Sequence, residues 1–178
     1  ATAWMYGASA VNCSLLGIGE RTGNVPLEAM VFEYASLRGT MNGMHPEVIT
    51  EIADYIKNET DYDLPPMTPF VGDNFNLTRA GIHADGMMKN PEIYNIFDTE
   101  SILDRPPKVS VTNTSGVAGV AFWVNQYNKK LGLPAVSKND PVVVKIYSWV
   151  CEQYDQGRIT MISDEELEEQ YKKCSRIE

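Results

Sequence analysis

Apolar residues recur at helical spacing twice in the first third of the chain. The first stripe predicts a one-sided helix of about four turns that begins at Pro26 and ends at Gly39. Its members are Leu27, Met30, Val31, Tyr34 and Leu37. A second stripe follows Pro46 and stops at the polar residues 58–63, which predicts a second helix packed beside the first. Its members are Val48, Ile49, Ile52, Ala53 and Ile56.

Three further helices are predicted in the second half of the chain. The first covers residues 117–131 and ends at Gly132, and the second covers residues 139–154. The third, at 163–173, opens with the sequence Ser-Asp-Glu-Glu, which is typical of a capping box. Short helical pieces are predicted at 84–89 and 91–96, and alternating residues at 108–112 predict a strand.

The remaining segments define the organisation of the chain. Residues 1–7 predict an apolar helix or strand, and small, β-branched and apolar residues at 9–16 predict a buried strand. Four helix breakers forbid regular structure between 64 and 74 and predict an extended connector. They are Pro65, Pro66, Pro69 and Gly72. We therefore expect a mainly helical α+β chain with a first part at 1–63, a proline-rich connector at 64–74 and a helical subdomain at 75–178.

Composition narrows the class of protein. The 178 residues are 43% hydrophobic, which is enough for one modest core or part of a larger one. A formal charge of −9 disfavours binding to nucleic acid or to an anionic membrane surface. Three cysteines without a Cys-X-X-Cys pair favour a reducing compartment. We therefore expect a cytoplasmic location, and we interpret four glycosylation-like tripeptides as chance.

Two groups of residues could carry chemistry. The sequence Gly-Ile-Gly-Glu-Arg-Thr-Gly-Asn at 17–24 lies between the predicted strand and the first helix. Its glycines would let a ligand approach the backbone, although its spacing fits neither a dinucleotide fingerprint nor a Walker loop. A plain tight turn, with Glu20 and Arg21 as a surface ion pair, is the alternative.

The second group contains His83, one of only two histidines in the chain, and Tyr94 eleven residues later. A histidine can exchange protons near neutral pH, and a tyrosine hydroxyl can stabilise developing charge. From the residues alone, however, a lone histidine in a loop is usually structural or solvated, and Tyr94, between Ile93 and Ile96, is by default a core residue. His45, beside Pro46 at a helix start, is expected on the surface.

Both groups carry a resemblance to a known family. Residues 16–24 resemble the motif after the eighth barrel strand of isopropylmalate, homocitrate and Re-type citrate synthases. Residues 81–86 and 89–94 resemble the next subdomain of the same family, in the same order. Within the family, residues 2–8, 26–34 and 74–81 look most similar to the Re-type citrate synthases. Ser14 departs from the threonine that is usual in isopropylmalate synthases, and Thr78 stands where those enzymes usually have a basic or histidine-containing stretch.

The resemblance implies the last strand and helix of a (β/α)8 barrel followed by a small helical subdomain. It implies a Claisen-type condensation of acetyl-CoA with a 2-oxo acid, oxaloacetate being favoured, in an enzyme that needs a divalent metal ion such as Mn, Mg, Co or Zn. By the same likeness His83, Tyr94 and Glu20 are catalytic candidates. Gly17, Gly19 and Arg21 are candidates for substrate binding, and Asn24 is a candidate at or beside the metal ion.

The family's principal metal ligands, an aspartate and a histidine pair on barrel strands, have no counterpart in this sequence. We therefore expect this chain alone to bind metal weakly and to show no turnover. It could be part of a longer synthase, a subunit of a split enzyme that pairs with a barrel half, or a non-catalytic interaction or regulatory module. The family forms dimers in which the acid/base pair reaches into the partner's barrel, so a homodimer is expected.

Overall fold

The computed structural model of the chain describes residues 1–95 and 97–175. Their helices, in chain order, are α1 (Thr2–Met5), α2 (Leu27–Arg38), α3 (Ile49–Thr60), α4 (Gly81–Lys89), α5 (Thr99–Leu103), α6 (Gly116–Leu131), α7 (Pro141–Asp155) and α8 (Asp164–Cys174). Single 3-10 turns lie at Leu15–Gly17, Pro46–Val48 and Pro91–Ile93, and the strands are β1 (Leu77–Thr78) and β2 (Lys108–Val109). None of these helices is both long and apolar enough to cross a membrane.

The chain divides into two compact units. The first comprises Ala1–Asn76 and Thr99–Pro106, and the second comprises Leu77–Asp98 and Pro107–Glu178. The described residues form eight α-helices and only two short strands, which confirms the predicted mainly helical chain. The assignment of residues 1–63 to the end of a barrel stays a prediction.

In the first unit, both predicted helices form where the apolar stripes place them. α2 follows Pro26 and ends at Gly39, whose left-handed backbone (φ 68°) is the conformation that glycine adopts most easily at a helix end. Residues from α2 and α3 line one cavity of about 110 Å³, including Leu27, Val31, Ile49 and Ile52. The apolar face of α2 is nevertheless incompletely covered, since Leu27 and Leu37 are 42% and 46% exposed.

The buried strand predicted at residues 9–16 is wrong. A single parallel bridge, Ser14 to Pro26, is the only strand-type pairing that the structure describes there, and Leu16 is the only buried residue of the segment. A parallel strand needs the amides and carbonyls of a neighbouring strand, which this segment lacks within the described chain. Residues 1–7, for which a helix and a strand were both open, contain α1.

The connector is irregular, as its prolines require, but it is turn-rich and not extended. The Asn74 amide donates to the Pro66 carbonyl at 2.7 Å, and Arg105 donates to the carbonyls of Val71 and Gly72 at 2.9 and 2.7 Å. Val71 and Leu103 are fully buried. Residues 99–106 therefore fold with the connector, and α5 within them was not predicted.

The second unit contains the predicted helices α6, α7 and α8. Its core draws on all three, with Val120, Val124, Ile146, Val150 and Leu167 among its members. The capping box of α8 is confirmed, because the Ser163 hydroxyl accepts from the Glu166 amide while the Glu166 carboxylate accepts from the Ser163 amide.

A short parallel pair completes the second unit. Leu77 pairs with Lys108 and Thr78 with Val109, so the strand predicted at 108–112 is shorter than expected, and β1 was not predicted. The helical pieces at 84–89 and 91–96 correspond to α4 and to the 3-10 turn Pro91–Ile93. Ile96 lies outside the described residues.

Candidate functional site

The glycine-containing loop of the first unit is held by backbone hydrogen bonds at both ends. At its base, the Ser14 amide donates to Val25 at 3.1 Å and the Leu27 amide donates to Ser14 at 2.9 Å. Farther along, the Asn24 amide donates to the Gly17 carbonyl at 2.8 Å. We call residues 14–27 the glycine loop. These hydrogen bonds lie within the loop itself and hold its backbone in one closed turn.

Close approach or backbone conformation favours glycine at three loop positions. A Cβ on Gly17 would lie 3.0 Å from the Asn24 carbonyl oxygen, and one on Gly19 would lie 2.4 Å from Asn24 Nδ2. At Gly23, where φ is +85°, a Cβ would lie 2.5 Å from the Gly17 carbonyl oxygen. The loop is therefore a closely packed turn around Asn24, and side chains at these glycines would force it open.

Three predicted site residues lie on the solvent side of this turn. Glu20, Arg21 and Asn24 are all exposed, and Arg21 has a left-handed backbone (φ 54°) that a non-glycine residue rarely adopts. No ion pair joins Glu20 and Arg21 among the contacts of the described residues. The loop thus exposes one carboxylate, one guanidinium and one amide.

Asn24 by itself does not make a metal site. Its Nδ2 donates to the Ile18 carbonyl at 3.1 Å, so its amide offers one oxygen, Oδ1, to a cation. Residues 1–95 and 97–175 contain no group of three or more His, Cys, Asp or Glu side chains that could hold a metal ion. A single neutral oxygen does not hold a divalent ion tightly, so the described residues do not fit a metal ion on their own.

Glu28, in the first turn of α2, is a feature that sequence reasoning missed. The residue is 4% exposed, and its Oε2 accepts a hydrogen bond from the Leu16 amide at 3.1 Å. An acidic residue at a helix start is usually explained by the helix dipole and by solvent. Nothing in the local pattern therefore distinguishes this buried carboxylate from an exposed one.

In the second unit, α4 and the turn that follows it bring His83 and Tyr94 together. The two ring centroids are 4.8 Å apart, with an angle of 47° between the ring planes. His83 is exposed and Tyr94 is 44% exposed, so the tyrosine is not the core residue that its apolar neighbours suggested. Both polar ends can therefore reach a ligand or another protein surface.

Two glycines allow this arrangement. A Cβ on Gly86 would lie 2.6 Å from Tyr94 Cε2, so the absence of a side chain lets the tyrosine ring lie against α4. A Cβ on Gly81 would lie 2.3 Å from the Ser115 carbonyl oxygen, so Gly81 lets the start of α4 approach the start of α6. Gly86 thus positions Tyr94, and Gly81 positions the helix that carries His83.

Asp85, a half-buried residue of α4, pairs with two lysines. One carboxylate oxygen pairs with Lys138 and the other pairs with Lys89 at 2.7 Å. The hydrogen bond from Lys138, followed by that from Lys89, lowers the pKa of Asp85 to about 2. Asp85 is therefore ionised near neutral pH and places a negative charge two residues from His83.

The predicted site residues fall into two groups, one in each unit. The glycine loop gathers Gly17, Gly19, Glu20, Arg21 and Asn24, and α4 with its following turn gathers His83 and Tyr94. The first group offers backbone, a carboxylate, a guanidinium and an amide for ligand contact. The second group offers an imidazole and a phenol for proton exchange.

Comparison with known proteins defines the class. The family model described as HMGL-like matches residues 1–56, the part of the chain that contains the glycine loop and α2. The chain is also 56% identical over 167 residues to the citrate (Re)-synthase of Clostridium kluyveri, an alignment that covers 94% of this chain and 37% of that protein. The citrate (Re)-synthase of Syntrophus aciditrophicus is 51% identical over 172 residues, covering 97% of this chain and 27% of that protein.

A more distant relative, the 2-isopropylmalate synthase of Pasteurella multocida, is 32% identical over 123 residues, which is 67% of this chain and 24% of that protein. The chain belongs to the family of isopropylmalate, homocitrate and Re-citrate synthases. It spans about a third of the length of the curated relatives that it matches.

Proposed function

We propose that this chain is the C-terminal part of an acyltransferase that condenses acetyl-CoA with a 2-oxo acid, with oxaloacetate as the favoured acceptor and citrate as the product. The observation that carries this proposal is the identity of 56% and 51% to two citrate (Re)-synthases over almost the whole chain. The same likeness supports the placement of residues 1–63 at the end of a (β/α)8 barrel, which would also cover the exposed apolar face of α2.

The reaction has two proton-transfer steps that need a base and an acid. A base removes a proton from the acetyl methyl group, and the resulting enolate carbon forms a bond to the 2-oxo carbon. The electron pair of the ketone moves to its oxygen, which takes up a proton, and water then cleaves the thioester to release CoA. An imidazole and a phenol 4.8 Å apart and open to solvent suit these transfers, so we assign them to His83 and Tyr94.

The glycine loop supplies binding groups in this proposal. Gly17 and Gly19 would let the backbone approach the bound substrate, and Arg21 would face its negative charge. Glu20 would contribute a carboxylate on the side of acetyl-CoA. Asn24 would lie at or beside a divalent ion whose other ligands come from outside the described residues, so no step is assigned to the metal.

Other acceptors and other assemblies compete with this proposal. The 32% identity to a 2-isopropylmalate synthase and 33% to a homocitrate synthase keep 2-oxoisovalerate and 2-oxoglutarate as candidate acceptors. A split enzyme would supply the barrel from a second subunit, and a homodimer would bring His83 and Tyr94 to a partner's site. A non-catalytic module would be favoured if these two side chains were buried in their own core, but they are exposed.

The first measurement is the intact mass of the gene product that carries this sequence, in extracts of its own cell. The purified product is then assayed for CoA release with acetyl-CoA and each of oxaloacetate, 2-oxoisovalerate and 2-oxoglutarate. We expect oxaloacetate to give the highest kcat/KM. A higher kcat/KM with either other acid would contradict the acceptor assignment, and no condensation with any of them would contradict the enzyme assignment.

Substitution tests the roles of the ring pair. We expect His83→Asn and Tyr94→Phe each to lower kcat by about 10²–10⁴-fold, with a much smaller change in KM. The matched controls are His45→Asn and Tyr55→Phe, since His45 has a 75% exposed side chain and Tyr55 is 66% exposed. Rates within twofold of the controls for both ring-pair variants would remove His83 and Tyr94 from the mechanism.

A further inference from the structure

The Glu28 carboxylate is buried, and its position is not explained by stability alone. The residue is 4% exposed, Oε2 accepts from the Leu16 amide at 3.1 Å, and the buried Oε1 has no hydrogen-bond partner among the described residues. Removing a carboxylate from water is costly, and an apolar side chain of the same size would avoid that cost. The carboxylate must therefore be explained by the group that it holds.

That group is the amide of a residue with an unusual backbone. Leu16 has φ 55° and ψ 17°, and Gly17 follows it with φ 66°. The left-handed conformation is unfavourable for a leucine because its Cβ crowds the backbone. The hydrogen bond that the Leu16 amide donates to Glu28 Oε2 offsets this cost and satisfies a buried donor.

The turn at Leu16 and Gly17 is linked directly to the candidate binding residues. The Gly17 carbonyl accepts from the Asn24 amide at 2.8 Å, and the carbonyl of Ile18 accepts from Asn24 Nδ2 at 3.1 Å. Releasing the Leu16 amide would let residues 16–17 relax to right-handed or extended backbone. The two carbonyl oxygens that accept hydrogen bonds from Asn24 would then move, and Asn24 would no longer be held in place.

We propose that Glu28 is a positioning residue for the condensation reaction: its buried carboxylate holds the Leu16–Gly17 turn, and through that turn it fixes Asn24 and the glycine loop. In this proposal Glu28 acts through the loop backbone and not on the reacting atoms. The catalytic part of this inference rests on the proposed function, whereas its structural part concerns this chain alone.

Amide hydrogen exchange of the 178-residue chain tests the structural part directly. The Gly17 and Asn24 amides both donate hydrogen bonds within the loop, so their exchange reports its opening. In Glu28→Ala we expect exchange at both amides to accelerate by at least about tenfold relative to the amide of Ala53, a buried residue of α3. Glu28→Gln keeps an acceptor oxygen and should stay within about threefold of the unsubstituted chain.

The comparison with Ala53 separates local positioning from general destabilisation. Equal acceleration at Gly17, Asn24 and Ala53 in Glu28→Ala, or none at all, would overturn the proposal. Glu51→Ala is the matched control, because Glu51 is an exposed glutamate of α3. It should leave the ratio of the exchange rates unchanged.

Kinetics of the complete gene product test the catalytic part. We expect Glu28→Ala to lower kcat/KM by at least about tenfold and Glu28→Gln to restore most of it. If the unsubstituted enzyme condenses no 2-oxo acid, the proposed function fails while the exchange result still decides whether Glu28 holds the loop. If exchange accelerates but kcat/KM does not fall, Glu28 is structural only and the positioning role is refuted.

Discussion

Replacing Gly86 by alanine should separate the geometry of the His83–Tyr94 pair from the stability of the chain. An ideal Cβ at position 86 would lie 2.6 Å from Tyr94 Cε2 and 3.4 Å from its Cζ and hydroxyl oxygen. Carbon atoms in contact are separated by about 3.5–4.0 Å, so the ring must move by about 1 Å. Tyr94 is 44% exposed and can move toward solvent.

The net effect of this substitution on stability should be small. Alanine favours the helix over glycine by about 0.8–1.0 kcal/mol. Loss of the ring contact costs about 0.5–1.5 kcal/mol. These contributions nearly cancel, so we expect the free energy of unfolding to change by less than about 1 kcal/mol, which corresponds to about 2–4 °C in Tm at this chain length.

Gly119 provides a matched control within α6. A Cβ there would lie 2.6 Å from Ser115 Cβ and 2.9 Å from Ser115 Oγ, and both residues are buried. The side chains cannot move to solvent, so Gly119→Ala should lower stability by about 1–3 kcal/mol despite the gain in helix propensity. The same substitution of glycine by alanine would thus leave stability nearly unchanged at position 86 and lower it at position 119.

The assay combines thermal unfolding with NMR of the imidazole protons. In Gly86→Ala the His83 ring resonances should shift, because the aromatic ring of Tyr94 has moved away from them, while Tm stays nearly unchanged. In Gly119→Ala, Tm should fall while the His83 ring resonances stay nearly unchanged. Unchanged His83 resonances in Gly86→Ala, or a loss of Tm as large as in Gly119→Ala, would refute the reasoning.

Two further predictions concern stability. Arg158 lowers the pKa of Glu166 to about 2, below its ordinary 4.5, so the pair stabilises the fold above about pH 4.5 and loses this contribution as the pH falls toward 2. The Glu166 side chain is 38% exposed, so water screens the ion pair. In urea unfolding, Glu166→Gln should therefore lower the free energy of unfolding by about 1 kcal/mol at pH 7 and by almost nothing near pH 2. An equal cost at both pH values would contradict this. Leu103→Ala should lower the free energy of unfolding by about 2–5 kcal/mol, since Leu103 is fully buried. Leu131→Ala, at a residue that is 53% exposed, should lower it by less than about 0.5 kcal/mol. Similar urea midpoints for the two variants would show that α5 does not stabilise its unit.

The sequence predicted the helices well because the signals that define them are local. The apolar spacing in α2, α3, α6 and α7 and the capping box of α8 act within one or two turns of chain. The glycine loop and the α4 region were also found by sequence, since residue type and order are enough to identify them as candidates. The roles given to their side chains stay predictions.

Tertiary structure decided the features that depend on residues distant in the chain. Residues 9–16 have the composition of a strand but lack a paired neighbour within the described chain, because strand formation requires hydrogen bonds that the segment cannot make alone. Residues 99–106 belong to the first unit, where Arg105 donates to carbonyls 34 and 33 positions earlier and the Thr50 hydroxyl donates to the Leu103 carbonyl.

The candidate site shows the same division. Sequence alone selected His83 and Tyr94, but only the structure shows that the missing side chain of Gly86 lets their rings lie 4.8 Å apart. Sequence gave no reason to single out Glu28, because an acid in the first turn of a helix is ordinary. Glu28 is buried because other segments cover it, and its carboxylate meets the Leu16 amide instead of water. Which segments cover a carboxylate is decided by tertiary packing and not by the local sequence.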